Sequence, residues 1–315
     1  MAGRGILGGN AGLNFSALNI LDMPPTQEEI NEGARQIIQT IQSRKPFFIG
    51  RNGSTELESL YHYTQRGGLM IYLDLPLIRR LERVSGVWPA EQETFCKWVN
   101  DYTESLSSIQ GLSTGWYPPM VEYEQMLLKN TCPKAFQMPL RSLEPYYVEP
   151  ELRWTKHLSG SRVAIVSSFT ETIQAQLGKG MKAIWPSNPM FSEDVEWIPI
   201  RTYFPPEISG GGETAWPAHI GGWKEAVEYV VEEVVKSGAT IALIGCGALA
   251  MSIGARLYKR GVSAILMGGA IQVLFGIKGS RWATHSIIST FWNDEWVHPI
   301  ERPPGAHKIE RGCYW

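Results

Sequence analysis

The chain has 315 residues, of which 43% are apolar, so it can bury a sizeable core in one large α/β domain or two small ones. This composition excludes a disordered tail and a miniature scaffold. The formal net charge of −2 and the pI near 6.3 argue against a broad electrostatic surface for nucleic acid or anionic membrane.

The cysteines and the apolar segments predict a cytoplasmic location. The four cysteines show no C-x-x-C pair and no zinc-ligand spacing, so we expect free thiols in a reducing compartment. Residues 1–9 lack an uninterrupted apolar run of signal-peptide length. The most apolar segment, Ala264 to Ile277, is shorter than the ~20 residues of a spanning helix, and we therefore expect no transmembrane segment.

The chain begins with a glycine-rich stretch that predicts an irregular arm over residues 1–25. Thr26 and Glu29 then form a capping-box pattern, with the acid three residues after the N-cap. The apolar residues that follow recur at helical spacing, so we expect a helix that lies on a sheet.

The next unit, residues 47–56, predicts a strand, a tight loop and the start of a helix. Phe47 to Ile49 suit a buried strand, and Gly50 and Gly53 permit backbone angles that a Cβ would forbid. Ser54 is a suitable N-cap for the helix. In an open α/β sheet such a loop lies where ligands bind, and the helix N-terminus favours a phosphate.

Two charged residues in this loop suggest chemistry. Arg51 can bind a phosphate or carboxylate with two parallel hydrogen bonds, and Glu56 can ligate a divalent cation or hold a sugar hydroxyl. The structural alternative is a salt bridge between Arg51 and Glu56, with Glu56 also suiting the helix dipole.

The middle of the chain is harder to interpret. Residues 69–73 predict a second strand, and residues 75–84 and 90–106 a helical region. Between 111 and 150 only a helix over 121–129 is indicated. The aromatic residues of this segment, among them Trp116, either line an acceptor-binding rim or pack beneath a loop.

From residue 161 strands and helices alternate again. The predicted strands are 162–166, 195–200, 240–244 and 263–267, and the predicted helices are 171–177, 223–236 and 248–259. Pro199 favours an edge position for its strand. Ser167 and Ser168 could donate hydrogen bonds to a ligand or merely cap a helix. The alternation predicts a doubly wound, mostly parallel sheet with helices on both faces.

The residues from Gly245 to Ala250 match G-x-G-x-x-A between a strand and a helix, which is a dinucleotide-binding pattern. The next strand ends in Gly268-Gly269, whereas a ribose-binding acid is expected about 20 residues after the glycines. We therefore interpret the loop as close packing plus approach to a nucleotide phosphate, and we expect no NAD. An NAD-dependent oxidoreductase remains the alternative.

Arg51 to Glu56 fits R-x-G-x-x-E, and the sequence here resembles the GT-D type glycosyltransferases, in which this motif follows the first strand of a Rossmann-like sheet. Residues 244–250 and 267–272 resemble later strand–helix units of that family, and residues 275–282 and 312–315 resemble uncharacterised GT-D-like proteins. The resemblance covers about residues 46–66 and 238–315. It implies one GT-D-like α/β domain over 26–315, with halves at about 26–150 and 151–315.

The resemblance implies a glycosyltransferase of polysaccharide biosynthesis that moves a sugar from a nucleotide-sugar donor to a glycan or glycoconjugate acceptor. Arg51 and Glu56 are then the catalytic candidates. The candidates for donor binding are Gly50, Gly53, Ser54, Ser167, Ser168, Gly245, Gly247, Gly269, Lys278 and Arg281. The last two follow an apolar helix and could neutralise a diphosphate.

One departure from the family concerns the metal. Members that carry D-x-E have an acid where this chain has Ser54, so Glu56 is the remaining metal-ligand candidate at this loop. We expect Mg²⁺ or Mn²⁺ to bind only together with the donor, whose phosphates would supply further ligands. The missing acid also keeps open a non-catalytic nucleotide-binding protein.

Overall fold

The computed structural model describes residues 24–65 and 75–315. The predicted strand over 69–73 and most of the predicted arm lie outside these residues. The helices are α1 (Gln27–Gln42), α2 (Ser54–Gln65), α3 (Leu75–Ser85), α4 (Gln92–Leu106), α5 (Val121–Thr131), α6 (Leu140–Leu143), α7 (Thr170–Lys179), α8 (Met181–Ile184), α9 (Pro206–Ser209), α10 (Trp223–Lys236), α11 (Leu249–Lys259) and α12 (Ala270–Leu274). The strands are β1 (Phe48–Arg51), β2 (Gly111–Ser113), β3 (Phe136–Met138), β4 (Arg162–Ser167), β5 (Glu196–Arg201), β6 (Ile241–Gly245) and β7 (Ser263–Leu266).

The seven strands within the described residues form one sheet in the order β3-β2-β1-β7-β6-β4-β5, and every pairing is parallel. This confirms the predicted Rossmann-like, mostly parallel α/β fold. From β4 the chain continues to the neighbouring edge strand β5, whereas from β6 it continues to β7 on the opposite side. The loops that leave these adjacent strands therefore diverge, and such a divergence opens a crevice at the carboxyl end of a sheet.

Helices cover both faces of the sheet because successive strand residues point to opposite sides. Ala242 and Ile244 of β6 belong to a core that includes α4, α10 and α11, whereas Ile241 and Leu243 belong to a second core that includes α1, α7 and α12. Strands buried on both faces need continuous apolar runs, which explains why they were visible in the sequence. No helix within the described residues has the length and apolar character that crossing a bilayer requires.

The capping signals are confirmed at α1. The Thr26 hydroxyl accepts a hydrogen bond from the Glu29 amide at 3.2 Å, and the Glu29 carboxylate accepts one from the Thr26 amide at 2.8 Å. Pro199 lies in β5, which is an edge strand as predicted.

Two strands of the segment 111–150 were missed. β2 and β3 have three residues each, too few to show a strand period. Their pairing depends on Gly111, where a Cβ would lie 2.2 Å from the ring of Phe136. The segment thus builds one edge of the sheet, and the predicted helix over 121–129 is confirmed as α5.

Candidate functional site

A cleft of about 280 Å³ lies at the carboxyl ends of the strands. The residues that follow β1, β2, β4, β5, β6 and β7 all contribute to its walls, as does the C-terminal segment. Gly53 and Gly245 therefore lie at the same edge of the sheet, as expected for binding loops of a doubly wound fold.

Ten of the twelve predicted site residues line this cleft, although they come from distant parts of the chain. They are Arg51, Gly53, Ser54, Glu56, Ser167, Ser168, Gly245, Gly247, Gly269 and Arg281. Their convergence follows from the parallel sheet, which brings all strand ends to one edge.

Gly50 and Lys278 are not among the lining residues, and the structure gives each a different place. A Cβ at Gly50 would lie 2.5 Å from the Cβ of Leu266, so this glycine permits close packing of β1 against β7. The Lys278 ammonium lies 5.5 Å from the centre of the Trp292 ring, and the preceding residue, Ile277, pairs with Val297. The binding roles expected of these two residues stay predictions.

The turn between β1 and α2 explains the spacing of glycine and acid. Ser54 is the first residue of α2 rather than its N-cap, and the Gly53 carbonyl accepts the hydrogen bond of the Leu57 amide at 3.0 Å. A Cβ at Gly53 would lie 1.8 Å from Oε2 of Glu56. The Glu56 carboxylate thus folds back over Gly53, and only glycine leaves room for it.

Glu56 is a buried acid, with 7% of its surface exposed. Burial raises the pKa of its carboxyl group. Its own backbone N–H, the charge of Arg51 and the Ser85 hydroxyl oppose that increase. A carboxyl with a raised pKa in a cleft is suited to proton transfer.

Arg51 is held in place by stacking rather than by a salt bridge. Its guanidinium carbon lies 4.1 Å from the centre of the Trp116 ring, and its Nε donates a hydrogen bond to the Asn52 carbonyl at 3.1 Å. Among the described residues it forms no ion pair, so the alternative of an Arg51–Glu56 salt bridge is not found. Its terminal nitrogens remain available to a ligand.

The first turn of α2 adds backbone donors. The amides of Ser54 and Thr55 donate to no acceptor in the part of the chain that the structure describes. Such amides and the positive end of the helix dipole form an anion site, here next to Arg51.

A buried network that the sequence did not reveal positions this turn. Asn52 has no exposed surface; it accepts a hydrogen bond from the Tyr102 hydroxyl and donates one to the Glu124 carboxylate, both at 2.9 Å. The other carboxylate oxygen of Glu124 accepts a hydrogen bond from the Gly115 amide at 2.9 Å. Glu124 thereby joins the loop of Arg51 to the loop of Trp116, on which Arg51 stacks.

A second unpredicted acid, Glu144, lies within the electrostatic reach of both cleft arginines. Burial raises the pKa of Glu144 to about 7, and the charges of Arg51 and Arg281 oppose the increase. A carboxyl of this pKa changes its charge near neutral pH. Nothing in its local sequence distinguishes it from an ordinary surface acid.

The glycine loop between β6 and α11 is used for packing. A Cβ at Gly245 would lie 2.6 Å from Ile271 and 2.7 Å from the Gly268 carbonyl oxygen. Gly247 has a φ of +59°, and a Cβ there would lie 2.6 Å from the carbonyl oxygen of Ser85. That same oxygen accepts the hydrogen bond of the Ala248 amide at 2.9 Å. The loop is therefore closed by the end of α3.

The start of α7 is also occupied. The Glu301 carboxylate accepts hydrogen bonds from the amides of Glu171 and Thr172, at 2.7 and 3.0 Å. Ser167 accepts a hydrogen bond from the Phe169 amide at 3.2 Å, and the Ser168 hydroxyl lies 2.9 Å from that of Thr202. A carboxylate from the C-terminal region thus accepts the hydrogen bonds of the amides at the start of this helix.

The described residues contain no group of three or more His, Cys, Asp or Glu side chains that could hold a metal ion. Glu56 supplies one carboxylate to the cleft and Ser54 a hydroxyl. Such a donor set fits a hard cation only when other oxygen ligands join it.

No family model matches the chain, and no curated protein matches it. Among solved structures, a selenomethionine-substituted domain of unknown function 1792 (DUF1792) is similar, with 11% sequence identity and a TM-score of 0.41. The match covers 78% of this chain and 83% of that one. A likeness of this degree says nothing about activity, and the class of fold is established by the parallel sheet itself.

Proposed function

We propose that this protein is a glycosyltransferase that transfers a sugar from a nucleotide-sugar donor to a glycan or glycoconjugate acceptor. The observation that carries the proposal is the β1–α2 turn, where an arginine without a carboxylate partner and helix amides without an acceptor, both among the described residues, lie beside a buried acid in one cleft. The R-x-G-x-x-E resemblance points to the same residues.

Arg51 and the first turn of α2 would stabilise the departing diphosphate. A guanidinium can donate two parallel hydrogen bonds to a phosphate, and helix amides point at an anion without having to reorganise. Stacking on Trp116 restrains Arg51 before the ligand arrives, which lowers the entropy lost on binding. Arg281 lines the same cleft and provides a second cation.

Glu56 would hold the acceptor hydroxyl and accept its proton. Its raised pKa brings it closer to the operating pH at which a general base is most effective. In the alternative role of Glu56, this carboxylate and the donor phosphates would hold a Mg²⁺ or Mn²⁺ ion, which would add charge stabilisation at the leaving group.

The NAD-dependent oxidoreductase finds less support in the geometry. Its fingerprint loop packs against Ser85, whose carbonyl oxygen accepts a hydrogen bond from the Ala248 amide. Gly268 and Gly269 lie where a dinucleotide-binding protein would have its ribose-binding acid. A non-catalytic nucleotide-binding protein would use the same cleft, so turnover must separate it from a transferase.

The test is a thermal-shift screen of nucleotide sugars, with and without Mn²⁺, against NAD(H), followed by measurement of free nucleotide released from each stabilising donor. A ligand that binds only the folded chain raises its melting temperature. We expect stabilisation by a nucleotide sugar and nucleotide release that depends on acceptor. Stabilisation without release would identify a binding protein, and stabilisation by NAD(H) alone would overturn the proposal.

A further inference from the structure

Two arginines flank the turn between β7 and α12. A Cβ at Gly268 would lie 3.4 Å from Nη1 of Arg51, and a Cβ at Gly269 would lie 3.3 Å from Nη1 of Arg281. Because these glycines are adjacent, the two guanidinium groups approach neighbouring positions of one turn. Both glycines and both arginines line the cleft.

Both cations are supported by aromatic rings. Arg51 lies over Trp116 at 4.1 Å and Arg281 over Tyr314 at 4.6 Å, measured from the guanidinium carbon to the ring centre. Stacked guanidinium groups keep their donors in a fixed plane. Two such groups at one glycine turn can each donate hydrogen bonds to an anion with two linked negative centres.

The two arginines differ in their partners. Arg51 has no carboxylate partner among the described residues, whereas Arg281 forms an ion pair with Glu310, which also lines the cleft. The Glu310 carboxylate accepts a further hydrogen bond from the Cys313 thiol at 3.2 Å. An acid of the protein itself therefore takes the position at Arg281 that a ligand phosphate would take.

The backbone that carries this acid is strained. Glu310 has a φ of +44° and Arg311 a φ of +60°, a region that non-glycine residues rarely adopt. Such conformations persist where the surrounding structure imposes them, and they cluster at ligand-binding sites. Here the strained turn holds the Glu310 carboxylate against Arg281.

We infer that Glu310 is a built-in counter-ion that a diphosphate must displace in order to bridge Arg51 and Arg281 across Gly268 and Gly269. The inference rests on the proposed function in taking that diphosphate to be part of the donor. A single phosphate bound at Arg51 leaves the Arg281–Glu310 pair intact. Glu310 therefore weakens the binding of diphosphates and leaves that of monophosphates unchanged.

The experiment is calorimetric titration of inorganic pyrophosphate and of inorganic phosphate into the full chain and its variants. Glu310→Gln should bind pyrophosphate about fivefold more tightly than the parent, since a partly exposed ion pair of this kind is worth up to about that factor. Phosphate affinity should not change. Arg281→Gln should reduce pyrophosphate affinity to that of phosphate.

Two further variants keep the result interpretable. Glu310→Asn removes the same charge with a residue that tolerates positive φ, so it should give the same gain even if Glu310→Gln alters the turn. Glu232→Gln breaks the surface ion pair with Arg260 and should leave both affinities at the parental value. Unchanged or weaker pyrophosphate binding in both Glu310 variants would overturn the inference.

The outcome is separable from that of the proposed function. Tighter pyrophosphate binding without turnover of any nucleotide sugar would support the counter-ion and contradict the transferase. Donor turnover together with unchanged pyrophosphate binding in the Glu310 variants would support the transferase and contradict the counter-ion.

Discussion

The turns β1–α2 and β6–α11 look alike in sequence but differ in what they leave available. In each, a buried strand with a glycine near its end is followed by a turn with a second glycine, and the turn opens a helix at the same edge of the sheet. In the first, Gly53 makes room for a carboxylate, and the amides of Ser54 and Thr55 have no described partner. In the second, Gly247 makes room for the Ser85 carbonyl oxygen, which accepts a hydrogen bond from the Ala248 amide.

The difference shows that a glycine loop before a helix is a binding site only if nothing else reaches its amides. One residue contributes to both turns, because the Ser85 carbonyl closes the β6–α11 loop and the Ser85 hydroxyl interacts with Glu56. The packed turn therefore helps to position the open one. Substitutions in the first turn should mainly reduce activity, and substitutions in the second should mainly reduce stability.

The largest effect is expected for Arg51→Ala. Loss of a charge-assisted contact to the developing diphosphate should raise the barrier by about 2–4 kcal/mol, a roughly 30- to 1000-fold loss in transfer rate. The measurement is initial-rate kinetics with the donor found by the screen, together with the melting temperature. Lys97→Ala, which removes an exposed cation of α4 outside the cleft lining, is the matched control and should retain the parental rate. A parental rate in Arg51→Ala would show that the first turn, like the second, contributes to stability rather than to activity.

The next effect is a loss of stability in Gly247→Ala. The new Cβ would meet the Ser85 backbone oxygen and would also require a positive φ, so unfolding free energy should fall by about 2–4 kcal/mol. Gly261→Ala is the control, since Gly261 also has a positive φ, but no atom of the described residues lies within 4 Å of where its Cβ would be. The difference between the two variants in urea unfolding gives the free-energy cost of the steric clash at Gly247, because both variants share the cost of positive φ. Equal losses would contradict close packing at the second turn.

Gly53→Ala should reduce the transfer rate more than it reduces stability. Its Cβ would displace the Glu56 side chain rather than backbone, so stability should fall less than in Gly247→Ala. Moving the base should reduce the transfer rate by roughly 10- to 100-fold, within the usual contribution of a positioned general base. Rate and urea midpoint are measured on the same preparations. A variant with parental rate but a large loss of stability would reverse the comparison.

The smallest effect concerns Glu56→Gln and stability. Burial raises the pKa of Glu56 in the folded chain above its unfolded value, so this group's stabilising contribution is present at low pH and is lost as pH rises through the folded pKa. Glutamine lacks that loss. The variant should therefore be more stable than the parent at pH 8, by at most about 1 kcal/mol in the free energy of unfolding, and should melt at a higher temperature there; the gain should be smaller at pH 4.

Thermal melts at the two pH values, with the exposed Glu122→Gln as control, test this. A variant that is less stable than the parent at pH 8 would show that the Glu56 carboxylate is stabilised by its neighbours. In that case the Glu56 carboxylate would stabilise the folded chain, and the first turn would resemble the second in contributing to stability.

The sequence by itself determined the class of fold and the edge at which the site lies. Apolar runs long enough for strands buried on both faces, alternating with helical stripes, predicted the parallel sheet. Because all strands of such a sheet end at one edge, residues as distant as Arg51 and Arg281 were expected to converge there, and they do. The capping box at Thr26 and the edge position of Pro199 were equally readable, since both depend on local chemistry.

Only the tertiary structure decided which turn is open and which residues support it. The Ala248 amide donates its hydrogen bond to the Ser85 carbonyl, and the first amides of α7 donate theirs to the Glu301 carboxylate. Both acceptors lie more than 100 residues away along the chain. Glu124 holds Asn52 in the same way, and Glu310 reaches Arg281 from a strained turn. The physical reason is common to all of them. Spacing and periodicity report neighbours along one element, whereas a buried amide or carboxylate is satisfied by whatever the folded chain brings within hydrogen-bonding distance.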